Sequence, residues 1–346
     1  MKKQIPGIDV HRRTFLKLSG LLGIGVMSAG LTAVPTTADG FLFSKKDHLV
    51  TATRTAMGTF VAITILHPSK DQAQQAIHLA FDEITQLENI LTHHKANAPL
   101  GIFNKTGVLE HAPLEIQGLV ARAAYYNQIS GGAFDITIKP VIDLYREKYN
   151  KNETPSRGDI EKALAAVGTE HILVHDRTLR AKRDGVAITL DGIGKGYIID
   201  RAAAVLKRNG IDNFLINGGG DIRCSGHAAK NKPWTIAVQD PNKEKHYPEI
   251  ISLYDGAVAT SGGYEVYYDQ EKIFHHIIDS RTGCSPRHAR SVTVTAATVM
   301  DADALSTTVF VMGARKGQQI LAAHPGAQFL LVDEADRLHR SSGWQA

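Results

Sequence analysis

The chain has 346 residues, 43% hydrophobic and 21% charged, the composition of an ordinary globular protein with length for one large domain or two small ones. The formal charge of +4 comes wholly from the first 38 residues, where Lys2, Lys3, Arg12, Arg13 and Lys17 face only Asp9, leaving 34 basic and 34 acidic residues beyond them. That balance excludes an electrostatic case for nucleic acid or an anionic membrane surface as a partner.

At the start of the chain, His11-Arg12-Arg13-Thr14-Phe15-Leu16-Lys17 precedes an uncharged stretch from Leu18 to Val34, diluted by Gly20, Gly23, Gly25 and Gly30. Paired arginines before a weakly apolar segment resemble a twin-arginine export signal. A membrane anchor needs about 20 mainly apolar residues. This stretch is short and glycine-rich, and Thr36-Thr37-Ala38 offers small residues for cleavage. Residues 1–38 are therefore expected to be the signal, 39–346 the folded domain, and the periplasm the destination. Cys224 and Cys284 allow one bridge at most, and two free thiols are the expected state.

Thr51–Leu66 ends in a period-two run that predicts a strand, and Ile77, Ala80, Phe81, Ile84, Leu87 and Leu91 recur at helical spacing. A second helix is predicted over Leu114–Ile129, stopped by Gly131-Gly132, with Phe134–Ile138 as a short extended piece. Asn150–Gly158 is polar and turn-rich, a surface connection within one unit. Strands follow at Val186–Leu190, Phe214–Asn217, Trp234–Gln239, Phe274–Asp279 and Val292–Ala297, with helices at Tyr197–Asn209 and Asp301–Met312. Strands in succession without intervening helices predict an α+β fold, a single compact mixed domain.

Chemistry concentrates in a few segments. Ile188–Asp200 (ITLDGIGKGYIID) reads as a strand, a glycine-rich turn and a helix start. Gly192, Gly194 and Gly196 let backbone amides approach a ligand, the helix N-terminus favours anions, and Lys195 adds positive charge, which suits a pyrophosphate. A plain tight turn explains the same residues equally well. In Met300–Phe310, Asp303 and Thr307 lie one helical turn apart, hard oxygen donors of the kind Mg²⁺ takes. Read alone, a capped helix start with Asp303 serving the dipole is the simpler account of that pair. His275 and His276 face opposite sides of the predicted strand; one suits a general base, although a lone strand histidine is more often structural.

Taken in order, TAMGTF, SGGAFD, DGIGKGY, INGGGD, ATSGGY, HHIIDSRTG and DADALSTT, from about Met57 to about Gly313, resemble the ApbE-type family of FAD:protein FMN transferases. The resemblance implies an α+β fold with one active site that uses Mg²⁺ and FAD. It also implies transfer of FMN, through a phosphoester bond, to a Thr or Ser of an acceptor flavoprotein, with release of AMP. It places Met57, His94, Ala133, Phe134, Asp135, Thr189, Lys195 and Ile278 at FAD-contact positions. Gly192 through its carbonyl, Asp303 and Thr307 fall at metal positions, and His276 matches the active-site histidine. Thr189 stands where Asp is common, His94 where Trp or Tyr is common, and Ser280 where Pro is usual. In this reading Lys195 and Mg²⁺ stabilise charge on the cleaved pyrophosphate, and His276 is the base for the acceptor hydroxyl, ahead of Asp279 and Asp303. Export implies a periplasm-facing, membrane-associated acceptor. A hydrolase releasing FMN and AMP, and a flavin carrier without turnover, are the rival readings.

Overall fold

The structure, a computed structural model, describes residues 47–242, 247–264 and 275–345; the expected signal at 1–38 and Phe274 lie outside them. Among the described residues no helix is long and apolar enough to cross a membrane.

The first expected strand is a hairpin of β1 (His48–Ala56) and β2 (Thr59–His67). Met57 and Gly58, both at positive φ, make the two-residue turn that folds the run back on itself. Helix α1 (Lys70–Leu91) starts where Ser69 accepts from the Gln72 amide and buries the stripe from Ala73 to Leu91. After α2 (Pro99–Thr106) and β3 (Val108–Leu109), helix α3 (Leu114–Ser130) stops at Gly131 in the left-handed conformation, where glycine was expected to end it.

Phe134–Ile138 is not extended. The Asp135 carboxylate accepts from the Thr137 amide and winds Ile136–Ile138 into a 3₁₀ turn that runs into α4 (Lys139–Asn150). The polar stretch after it links α4 to α5 (Arg157–Leu164), which opens on a Ser156/Asp159 capping box. Strands β4 (Ile172–His175) and β5 (Thr178–Ala181) join β3 in a small sheet. Val186–Leu190 is apolar and largely buried but joins no sheet. Its backbone is held at Ile188 by both ends of the Asn104 amide and at Thr189 by the Ile136 carbonyl.

Helix α6 (Gly194–Arg208) starts three residues before the expected Tyr197, on the glycines themselves. It leads to β6 (Phe214–Gly218), β7 (Asp221–Ser225), β8 (Trp234–Ala237), β9 (Ile250–Leu253), β10 (Asp255–Gly262) and β11 (Ser291–Ala296). Helices α7 (Val299–Met312) and α8 (Ala314–Leu321) and strands β12 (Gln328–Val332) and β13 (Leu338–Arg340) complete the chain. The expected strand at Phe274–Asp279 is, in its described part, no continuous strand: His275 and Asp279 make isolated bridges, the latter with Cys284, and the residues between them pair with no strand.

Eight strands form one antiparallel sheet in the order β1-β2-β6-β7-β10-β11-β12-β13. One face, with Ile63, Phe214, Ile216, Ala259, Val294 and Phe329, packs on the core shared with α1, α6 and α7. The other face places Leu215, Ile222, Val258 and Leu330 against Trp234 and Ile251 of the β8–β9 ribbon. Covered on both faces, β6 is buried along nearly its whole length and shows no alternation of burial. This is the α+β class expected. Helix α7 is buried nearly all round, so any polar side chain it carries is placed in the core or in a cavity.

Candidate active site

Helices α6 and α7 meet near their N-termini. A β-carbon on Gly196 would lie 2.5 Å from the Val299 carbonyl oxygen, so only glycine lets the helices come this close. The Gly196 amide donates to Asp303 Oδ2 at 3.2 Å, and the Gly194 amide to the Leu190 carbonyl at 2.6 Å. These two amides, expected to approach a ligand, are engaged within the protein. Lys195 and the α6 dipole supply the positive end of the site.

Lys195 Nζ lies 3.2 Å from Oδ2 of Asp221, which is 2% exposed and opens β7. Asp221 is placed there by a turn in which Gly219 and Gly220 have positive φ and the Asn217 side chain accepts from the Gly220 amide. Asp303 is likewise buried. Loss of water, and then the charge of Asp221, push its carboxyl well above the ordinary carboxylate range, against the pull of Lys195 and the Gly196 amide. The helix-start role belongs to other residues: Thr298 caps α7, and Asp301 is the acid of its first turn. One turn after Asp303, Thr307 Oγ1 is 3.1 Å from Ser261 Oγ, which also bonds Ser306 Oγ at 2.8 Å. Gly192 faces this hydroxyl; a β-carbon there would be 3.2 Å from Thr307 Oγ1 and 3.2 Å from the Phe134 ring.

The remaining expected residues complete the same cavity, of about 530 Å³. Met57 enters from the β1–β2 turn, with φ at 53°, a conformation uncommon outside glycine. His94, directly after α1, has its ring 4.0 Å from that of His93. Ala133 and Phe134 line the wall beneath α3. Asp135 lies there too, but its carboxylate is engaged by the Thr137 amide and hydroxyl, the Asn127 side chain and the Thr169 amide, and so holds the wall in shape. Thr189 and Ile278 line the cavity as well. All twelve residues that the resemblance places at FAD, metal or active-site positions line this one cavity.

His276 lines the cavity, whereas the His275 ring is turned away, with Nε2 3.1 Å from the Pro286 carbonyl and an edge-to-face contact with Phe310. The turn that carries them is tied to the Ser130–Asp135 segment by the Ser280 hydroxyl, which donates to the Gly132 carbonyl. Asp279 is clasped by Arg281 through both oxygens, at 2.8 and 2.7 Å, which makes it a poor base.

Sequence reasoning missed Asp221, Ser261, His93 and Asp191 as cavity residues. The INGGGD and ATSGGY segments carried the signal for the first two, but as turns. For His93, burial comes first and lowers its pKa, with the nearby Asp191 opposing, so a neutral ring stands beside Thr189.

The ApbE family model matches residues 57–331. The FAD:protein FMN transferase of Haemophilus influenzae is 28% identical over 322 residues, covering 88% of this chain and 92% of its own. That of Escherichia coli K12 is 29% identical over 294 residues, covering 81% and 83%. Among solved structures, the flavin transferase ApbE from Vibrio cholerae aligns with a TM-score of 0.74 at 26% identity, over 86% of this chain and 98% of its own. The ApbE protein from Thermotoga maritima aligns with a TM-score of 0.77 at 30% identity, over 85% and 97%. With a match that runs from the β1–β2 turn into β12, the chain belongs to the ApbE family of FAD:protein FMN transferases and is a transferase.

Proposed function

We propose that this chain binds FAD in the cavity around Lys195, cleaves it with Mg²⁺ present, and attaches the FMN half through its phosphate to a Thr or Ser hydroxyl of an acceptor flavoprotein, releasing AMP. The observation that carries this reading is the cluster of Lys195, Asp221 and Asp303 beneath the Thr307 hydroxyl. Among the described residues no group of three His, Cys, Asp or Glu is arranged for a metal. The donors here are of another kind: one carboxylate, one hydroxyl and the Gly192 carbonyl, oxygen ligands that suit a hard cation. Asp221 and Asp303 are buried carboxylates beside Lys195, and a divalent cation held by Asp303, Thr307 and Gly192 would add positive charge where they meet. Bound Mg²⁺ would stabilise negative charge on the pyrophosphate oxygens during cleavage.

The chain's own residues do the rest. Lys195 holds a phosphate oxygen, and its pairing with Asp221 fixes where the ammonium stands. His276 takes the proton of the acceptor hydroxyl as the new oxygen–phosphorus bond forms and the bond to AMP breaks. Phe134, Ile278 and Met57 keep the reacting centre poor in water, which disfavours hydrolysis. The paired Arg12-Arg13 supports export by the twin-arginine route to the periplasm, where the acceptor is a membrane-associated, periplasm-facing flavoprotein subunit.

Incubation with FAD and Mg²⁺, with and without a candidate acceptor flavoprotein, tests the proposal. Covalent flavin fluorescence on the acceptor, with stoichiometric AMP, is expected. Free FMN plus AMP and no labelled acceptor would make the chain a hydrolase, and intact FAD would make it a carrier.

A further inference from the structure

Asp200 is a half-buried carboxylate that the chemistry above does not use. It lies on α6, five residues after Lys195, and reaches across to the start of α7. Its Oδ1 accepts from the Val299 amide and its Oδ2 from the Met300 amide, both at 2.9 Å. The first turn of a helix has four amides without intrahelical partners. In α7, Asp301 donates to the Thr298 hydroxyl at 3.1 Å and Ala302 to the Thr298 carbonyl at 3.1 Å, both within the same segment. Val299 and Met300 instead depend on a side chain from another helix.

The arrangement is reciprocal. Asp200 of α6 holds the N-terminus of α7, while Asp303 of α7 accepts from the Gly196 amide in the first turn of α6. Between the two, the helices are too close at Gly196 for even a β-carbon, which would meet the Val299 carbonyl. Lys195 adjoins Gly196, and Asp303 lies one turn beyond Val299. The crossing that Asp200 fixes is therefore the one that sets Lys195 against Asp303 and Thr307. The Thr298 side chain serves only the Asp301 amide, so Asp200 satisfies the two amides it leaves, and does so from a different helix. Burial is the largest influence on Asp200 and raises its carboxyl above the ordinary range, despite the two amide hydrogen bonds. A carboxylate held at that cost, and bonded across to another helix rather than within its own, points to a geometric role.

We propose that Asp200 is a positioning residue for FMN transfer: by holding the first two amides of α7 it fixes Asp303 and Thr307 relative to Lys195, and with them the divalent cation. The proposal rests on the function proposed above.

The test measures three quantities on the full chain: kcat and KM for transfer to an acceptor flavoprotein, Mn²⁺ affinity from the electron paramagnetic resonance of the bound ion, and Tm. Asp200→Asn keeps the shape but replaces one acceptor oxygen with an NH₂ group that cannot accept. It is expected to lower kcat and weaken Mn²⁺ binding by roughly 10–100-fold each, the usual effect of removing a residue that orients a metal ligand, with both KM values unchanged. Thr298→Ala is the stability control. It removes a cap from the same helix without touching α6, and should lower Tm while kcat and Mn²⁺ affinity stay at the wild-type level. Asp200→Glu keeps charge and both oxygens but reaches one carbon further; it covers the case in which Asp200→Asn does not fold, and should lower kcat and Mn²⁺ affinity with little change in Tm. An Asp200 variant that folds with wild-type kcat and Mn²⁺ affinity overturns the proposal, as does a pattern in which both Asp200 variants and Thr298→Ala change only Tm. A wild-type chain that transfers FMN but binds no Mn²⁺ fails the metal part of the functional reading, and kcat of the variants then decides the role of Asp200. A wild-type chain that binds Mn²⁺ but transfers no FMN fails the transfer reading, and the Mn²⁺ affinities decide.

Discussion

His275 and His276 are adjacent, yet only His276 reaches the cavity. His275 is buried, bonded through its ring to Pro286 and through its backbone to the Ser285 hydroxyl in both directions. His276→Asn should keep FAD affinity and slow transfer by roughly 10²–10⁴-fold, the contribution of a general base. His275→Asn should instead lower Tm and cost less activity, because it removes packing on Phe310 rather than a reacting group. Transfer by the wild type should rise with pH as an imidazole base loses its proton, and that limb should vanish in His276→Asn. A full rate in His276→Asn would remove it as the base. The two cysteines, free as expected, differ in the same residue-by-residue way. Burial pushes the Cys224 thiol up to about 12, whereas Cys284 is exposed. A thiol reagent at neutral pH should label one site in the native protein, Cys284, and both after denaturation; labelling of native Cys224 would contradict its burial.

Between elements, the contact that ties α3 to α7 is a clasp on Asp301, whose Oδ1 accepts from Arg122 at 2.6 Å and from the Tyr126 hydroxyl at 2.7 Å. Arg122 also lies over the rings of Tyr125 and Tyr126. Burial alone would raise the Asp301 carboxyl, but the hydrogen bonds from Arg122 and Tyr126 hold it below its ordinary value. A carboxyl whose pKa is lower in the folded state adds stability that is complete above the unfolded value and lost as pH falls through the folded one. Arg122→Ala should therefore destabilise the protein at neutral pH by about 1–2 kcal/mol, a partly exposed pair being worth less than a buried one. The gap between wild type and variant should narrow as pH falls below about 4. Thermal melts across that range check both statements, and a constant gap would show that packing rather than charge holds the clasp. The long amphipathic helices were legible in the sequence because their signal is a local period. The 3₁₀ turn at Ile136–Ile138 and the unpaired Val186–Leu190 were not, because each is decided by a partner for backbone donors that lies elsewhere: the Asp135 side chain in one, Asn104 and Ile136 in the other.

For the whole molecule, the proposed export signal lies outside the described residues. Replacing Arg12 and Arg13 together by lysine should leave the precursor in the cytoplasm with fold and FAD binding intact, and fractionation of cells checks it. Unimpaired export of that variant would count against the twin-arginine reading.

By itself the sequence determined the class of the fold, the family and twelve of the residues that line the cavity. Glycine-rich turns and helical stripes are local, and their order along the chain is specific. Only the tertiary structure decided how the charges meet. Lys195, Asp221 and Asp303 come from α6, the start of β7 and α7, and no period or spacing links them. The burial of Asp221 and Asp303 beside Lys195, and the close crossing at Gly196, follow from packing two helices on the same sheet face, which brings charges together that are far apart along the chain.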